Sequence, residues 1–177
     1  LEFRRVLFRS HVALLRAQSC FTQSFYRRVA RRLSPQGVFC QRIQCVDIGP
    51  RPLQAIVRTV QSVFRDVMAI EAAPGELLLT ATNSPDGLLQ PKLTDRLQLP
   101  HVRTLLAESG IDWTVILNLT AYTNSGLEEF AAQGARRPNL VENSRLAFSM
   151  PRDVMRWAPK LQEIHAALSP HAGRLLN

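Results

Sequence analysis

Apolar positions along the chain follow the period of a helix in some stretches and of a strand in others, and this alternation gives the first outline of the fold. Phe25, Val29 and Leu33 recur at helical spacing, with Tyr26 and Ala30 beside them. Thr22 precedes them as an N-cap whose hydroxyl can accept an orphan backbone N–H. Ser34-Pro35-Gln36-Gly37 ends that helix, because proline and glycine both punctuate. The run from Gly37 to Val46 is rich in β-branched and aromatic residues and predicts a strand. Asp47 to Pro52 reads as a loop. Leu53, Ile56, Val57, Val60, Val63 and Phe64 then form one apolar stripe, with Arg58, Gln61 and Arg65 opposite, which predicts an amphipathic helix. Val67–Glu71 and Glu76–Thr82 predict two strands, and the Ala73-Pro74-Gly75 connection between them favours an antiparallel hairpin.

The order helix, strand, helix, strand, strand predicts an α/β fold, the second half of an open sheet. The first strand–helix–strand unit should be a parallel crossover, and the hairpin then puts one antiparallel strand into an otherwise parallel sheet. From Asn83 the pattern weakens. Leu93–Leu97, Pro100–Ser109, Asp112–Leu119 and Gly126–Gly134 read as short helices. Leu146–Met150 reads as a short extended piece, and Asp153–Leu168 as a helix with Met155, Ala158, Leu161, Ile164 and Leu168 on one side. The expected division is an N-terminal segment 1–10, half a sheet domain over 11–83 and a mainly helical extension over 84–177.

Composition sharpens this picture in two places. The 177 residues are 46% hydrophobic and 20% charged, as in ordinary globular proteins, which argues against disorder and coiled coil. No apolar run approaches the roughly 20 residues needed to cross a bilayer. Cys20, Cys40 and Cys45 contain no C-x-x-C pair and cannot build a disulfide framework, so a reducing compartment is the expectation. The formal charge is +8, yet of 22 basic residues only Lys92 and Lys160 are lysine, a bias that a GC-rich genome produces as readily as a nucleic-acid site. Charge is spread over both halves, and no aromatic-basic surface is evident, so no nucleic-acid partner is expected. Arg27, Arg28, Arg31 and Arg32 fall away from the first apolar stripe. They read most simply as a solvated face, with a phosphate or partner site as the sharper alternative.

Leu1–Ser10 stands apart. The codons CTG GAG TTC AGA CGT GTG CTC TTC CGA TCT would encode it, and DNA of that sequence looks like the end of a common short-read sequencing adaptor read in frame. The segment is therefore expected to be an artefact. Without Arg4, Arg5, Arg9 and Glu2 the formal charge falls to +6. On this reading the natural protein extends upstream of His11, and the Gly37–Val46 strand is expected to lack its inner neighbour.

The stretch Phe21-Thr-Gln-Ser-Phe-Tyr, the Leu33-Ser-Pro-Gln-Gly turn and the strand reaching Gln41 resemble the spermidine synthase (polyamine aminopropyltransferase) family. Val60-Gln-Ser-Val-Phe and Pro74-Gly-Glu-Leu-Leu-Leu continue the resemblance. Gln41 and Gln44 resemble the bacterial branch often fused to a major-facilitator-like membrane region. Asn139 to Arg152 is similar to that branch's C-terminal Asn-Thr-Asp-Asp-x-Pro-x-Leu-Glu-Phe signature. It departs at Leu140, Val141, Glu142, Ser144 and Ala147.

The resemblance implies a class I methyltransferase-like (Rossmann-like) sheet. It also implies aminopropyl transfer from decarboxylated S-adenosylmethionine to a polyamine. The glycine-rich nucleotide turn and the catalytic acid of that family have no counterpart in this sequence, so the fragment is expected to be inactive, with no catalytic, cofactor-binding or metal-binding residue of its own. One wall of a polyamine site remains as candidates: Gln41, Gln44 and Asp47. Gln41 and Gln44, three apart on a strand, must point to opposite faces. Each also reads as an ordinary strand or loop residue. The expected setting is the cytoplasm, free or as the cytoplasmic domain of a membrane-fused parent, with homo-oligomerisation open. A fragment of an S-adenosylmethionine-dependent methyltransferase and a non-catalytic regulatory domain of the same fold are the competing readings. Cys40 and Cys45 read as packed strand residues, and His165 and His171 are six apart, the wrong spacing for a metal pair on one helical face.

Overall fold

A computed structural model describes residues 3–9, 19–46, 48–89, 95, 97–134, 137–143, 146 and 160–174. Its elements are β1 (Phe3–Arg9), α1 (Gln23–Ala30), β2 (Leu33–Gln44), α2 (Pro50–Gln61), β3 (Asp66–Ala73) and β4 (Glu76–Thr82). They continue with α3 (Pro100–Glu108), α4 (Trp113–Leu117), β5 (Thr120–Tyr122), α5 (Asn124–Ala132), α6 (Lys160–Leu168) and β6 (Gly173–Arg174). The fold is mixed α/β. One six-stranded sheet runs in the order β1-β2-β4-β3-β5-β6.

β2 and β3 run in the same direction and are joined through α2, while β4 lies between them and pairs antiparallel with both. The hairpin expected at Ala73–Gly75 forms, with Gly75 at φ 79°, a left-handed conformation that glycine adopts without steric cost. The expectation of an otherwise parallel sheet needs correction: the β1/β2 pair is parallel, and the other described pairings are antiparallel. The reason is that β4 intercalates between β2 and β3, so the two parallel strands never touch. β5 and β6, which the helical reading of the C-terminal region did not anticipate, extend the sheet beyond β3. Thr120-Ala-Tyr122 is too short for a period to be read, and only the open edge of β3 recruits it.

Strand β2 begins at Leu33 rather than Gly37, because β1 extends the ladder back to that residue. The edge of β2 expected to be bare is thus lined by Phe3–Arg9 in parallel register. Burial alternates along β2: Phe39, Gln41 and Ile43 are buried, while Val38, Cys40, Arg42 and Gln44 are half-buried. The buried face meets a helical layer in which α2 packs against α1, α5 and α6. The stripe read from sequence explains this, for Leu53, Ile56, Val57 and Val60 of α2 are at most 1% exposed. Each such side chain contributes about 1.5–3 kcal/mol on burial. Phe39 stacks on Phe64 (centroids 5.8 Å apart, planes 4° apart) and meets Tyr26 edge-on at 5.8 Å.

Capping follows the sequence where it could be read. Thr22 Oγ1 accepts a hydrogen bond from the Phe25 N–H at 3.3 Å, and Thr123 Oγ1 caps α5 by accepting from Gly126. Arg27, Arg28, Arg31 and Arg32 are exposed, as a solvated face requires. Asn139 is 2% exposed and ties three elements together. Its Nδ2 donates to the Phe21 carbonyl (3.0 Å), its own N–H donates to Thr59 Oγ1 on α2 (2.8 Å), and its carbonyl accepts from the Gln23 N–H (3.0 Å). Most of the expected 93–97 helix, residues 147–150 of the expected 146–150 extended piece and the first half of the 153–168 helix lie outside the described residues, and Leu146 itself is helical rather than extended.

Candidate functional site

In an open α/β sheet, ligands bind beyond the carboxyl ends of the parallel strands. Here those ends are Gln44 of β2 and Ala73 of β3, and the β3–β4 turn and the start of α2 lie at the same end because they follow directly in sequence. The three candidates from sequence fall out differently. Gln41 is 0% exposed on the helix-covered face. Its Oε1 accepts from the Tyr26 hydroxyl at 2.7 Å, and its Nε2 donates to the Cys20 carbonyl at 3.4 Å. Gln44 is half-buried on the opposite face, in register with Glu76. The two glutamines therefore face apart, as their spacing requires. Asp47 lies outside the described residues.

Beyond the strand ends the space is filled from within. Helix α6 sets Leu161, Ile164, His165 and Leu168 against Cys45, Glu71, Gly75, Leu77 and Tyr122, leaving a cavity of about 10 Å³. That is room for about one water molecule. His165 Nε2 stands 3.2 Å from Glu71 Oε1. Burial, reinforced by the Glu71 charge, pushes the Cys45 thiol up to about 12. The same two causes, with Cys45 adding to them, raise the Tyr122 hydroxyl to about 12. A thiol so protonated is a packing group rather than a nucleophile. Glu76, beside the turn, is held by Arg42 of β2: Arg42 Nε donates to Glu76 Oε2 at 3.1 Å, and Nη2 donates to Oε1. The hydrogen bond and the charge of Glu76 raise the Arg42 guanidinium further.

Compared with protein-family models and with curated proteins, the chain matches none.

Sequence reasoning missed both the Arg42–Glu76 ion pair and the His165–Glu71 contact at this end of the sheet. Arg42 and Glu76 are 34 residues apart, and Glu71 and His165 farther still, so only strand register and helix docking join them. Tyr26 was visible as a member of an apolar stripe, but its hydroxyl partner was not. Cys40 is half-buried and its thiol is raised by burial, in keeping with a packed strand residue. His165 and His171 go to separate carboxylates, Glu71 and Glu129. Among the described residues no group of three or more His, Cys, Asp or Glu could hold a metal ion, and no helix is long and apolar enough to cross a membrane.

Proposed function

We propose that the chain carries the C-terminal part of a spermidine-synthase-like protein with a class I methyltransferase-like sheet. The observation that supports this reading is topological. Two parallel strands joined by a helix, with the following hairpin strand inserted antiparallel between them, occur where the sequence motifs of that family lead. In the intact parent a polyamine amine would attack the propyl carbon next to the sulfonium of decarboxylated S-adenosylmethionine. A C–N bond forms, the C–S bond breaks with its electrons going to sulfur, and methylthioadenosine leaves. The ammonium proton passes to a carboxylate. The sulfonium already activates the carbon, so the protein's contribution is positioning and deprotonation.

Within this chain, Gln41 contributes by fixing β2 to α1 through Tyr26, and Gln44 and Asp47 remain the residues for the polyamine wall. The chain as it stands carries neither the glycine-rich turn nor the catalytic acid of the family, so it is inactive. We assign the domain to the cytoplasm, free or attached to a membrane region of the parent, with a diamine or longer polyamine as its small-molecule partner.

The test is to read the genomic sequence across Ser10, express that full reading frame, and supply decarboxylated S-adenosylmethionine with a diamine. Release of methylthioadenosine supports the reading. S-adenosylhomocysteine formed instead from S-adenosylmethionine would assign the protein to the methyltransferases. A folded parent that forms neither product would make it a regulatory domain. Methylthioadenosine released by the purified 177-residue chain would overturn its inactivity.

A further inference from the structure

We propose that the cleft between the end of α2 and the start of α5 binds a free α-amino acid, its carboxylate on Arg58 and Arg65 and its ammonium on Glu128 and Gln61 Oε1. The cleft lies at the end of the sheet where β3 begins and has a volume of about 250 Å³. That is below the range of drug-sized ligands and suits a smaller one. Arg58, Gln61, Phe64, Arg65, Asn124 and Glu128 are among the residues that line it. Arg58 comes from α2 and Arg65 from the connection to β3, so the α2 side carries two guanidiniums, whose forked donors match a carboxylate. The α5 side carries the Glu128 carboxylate. Arg65 and Glu128 are exposed, and among the described residues the guanidinium of one and the carboxylate of the other make no hydrogen bond or ion pair. A ligand that answers both sides is anionic at one end and cationic at the other.

Gln61 adds a neutral acceptor. Val67 N–H donates to Asn124 Oδ1 at 3.2 Å, which fixes the Asn124 amide with its oxygen on that side. Gln61 Nε2 donates to Asn124 Oδ1 (3.3 Å) and to the Asn124 carbonyl (3.0 Å). Turning the Gln61 amide over would set its oxygen against two acceptors, so its orientation is fixed as well. Gln61 Oε1 is buried and accepts no hydrogen bond among the described residues. A buried acceptor without a donor is a cost that the N–H of a ligand removes. The Ser62 hydroxyl cannot take this role, because it already accepts from Gln23 Nε2 (2.9 Å) and donates to the Thr59 carbonyl (2.7 Å).

An NMR titration of the full, isotope-labelled chain tests this, with each common amino acid as the probe. At least one should bind with a Kd of about 1 mM or below and move the side-chain amide of Gln61 and the backbone amides of Arg65 and Glu128. The same amino acid with its carboxylate blocked as an amide, or its ammonium blocked by acetylation, should bind at least about tenfold more weakly, the loss of one charged hydrogen bond. Arg65→Ala and Glu128→Ala should each weaken binding by a similar factor at an unchanged melting temperature, because both side chains are exposed. The blocked ligands are read on the unsubstituted chain, so the test stands even where a variant does not fold. The proposal is overturned if no amino acid moves these signals at about 10 mM, or if both blocked forms bind as well as the free one. It is also overturned if inorganic phosphate binds as tightly as the best amino acid, since the cleft would then be a plain anion site.

Discussion

Replacing Gln41 by methionine separates a fold-holding role from an exposed binding role. Methionine has nearly the same volume, so the filling of this buried face of β2 is largely kept. What is lost is the acceptor of the Tyr26 hydroxyl, a 2.7 Å bond between two residues that are both 0% exposed, and the longer donation to the Cys20 carbonyl. A buried hydroxyl left without a partner costs about 1–3 kcal/mol, and the 3.4 Å bond adds less. Gln41→Met should therefore destabilise by about 2–3 kcal/mol. Tyr26→Phe, which orphans Gln41 Oε1 instead, should cost about 1–2 kcal/mol. Once both polar partners are gone there is nothing left to orphan, so the double variant should be less destabilised than the sum, with a coupling of about 1 kcal/mol. Urea denaturation of the four proteins measures this, and an unchanged m-value confirms that the same transition is compared. A Gln41→Met variant within about 0.5 kcal/mol of the parent, or additive single effects, would refute the reasoning and return Gln41 to the surface.

Asn139→Ala should destabilise by about 2–4 kcal/mol, because it orphans the buried Phe21 carbonyl and removes the acceptor of the Leu146 N–H. A thermal melt should show a loss of about 5–15 °C. Ile164→Ala on α6 should cost about 2–5 kcal/mol, measured in the same way, since Ile164 is 3% exposed beneath the strand ends. Stability should also fall at high pH. Cys45 and Tyr122 hold their protons more tightly when folded, up to about 12 against ordinary values of 9.0 and 10.0, so unfolding releases protons throughout that interval. Above pH 9 denaturation midpoints should therefore fall towards pH 12, less steeply in a Cys45→Val, Tyr122→Phe variant. Equal slopes in variant and parent would count against the assignment.

Local signals carried far in the half of the chain where periodicity is strong. The stripe from Leu53 to Phe64, the Thr22 cap, the Pro74-Gly75 turn and the alternation of β2 each arise from interactions within a few residues, so the sequence alone determined those elements and the exposed arginine face of α1. It also determined that Gln41 and Gln44 face apart, because side chains alternate along any strand. What it could not determine depends on groups brought together across the chain. The place of β4 between β2 and β3 follows from ladder pairing over dozens of residues. β5 is too short to carry a period and exists because the edge of β3 takes it. The strand ends are filled by α6, from more than 80 residues away, which sets His165 against Glu71, while strand register sets Arg42 against Glu76; no spacing rule connects either pair. Gln41 shows the division in one residue. That it faces away from Gln44 was written in the strand pattern, whereas its burial and its two hydrogen bonds were decided by the packing of α1 onto the sheet, because a buried amide is satisfied by whatever donors and acceptors the folded chain brings to it.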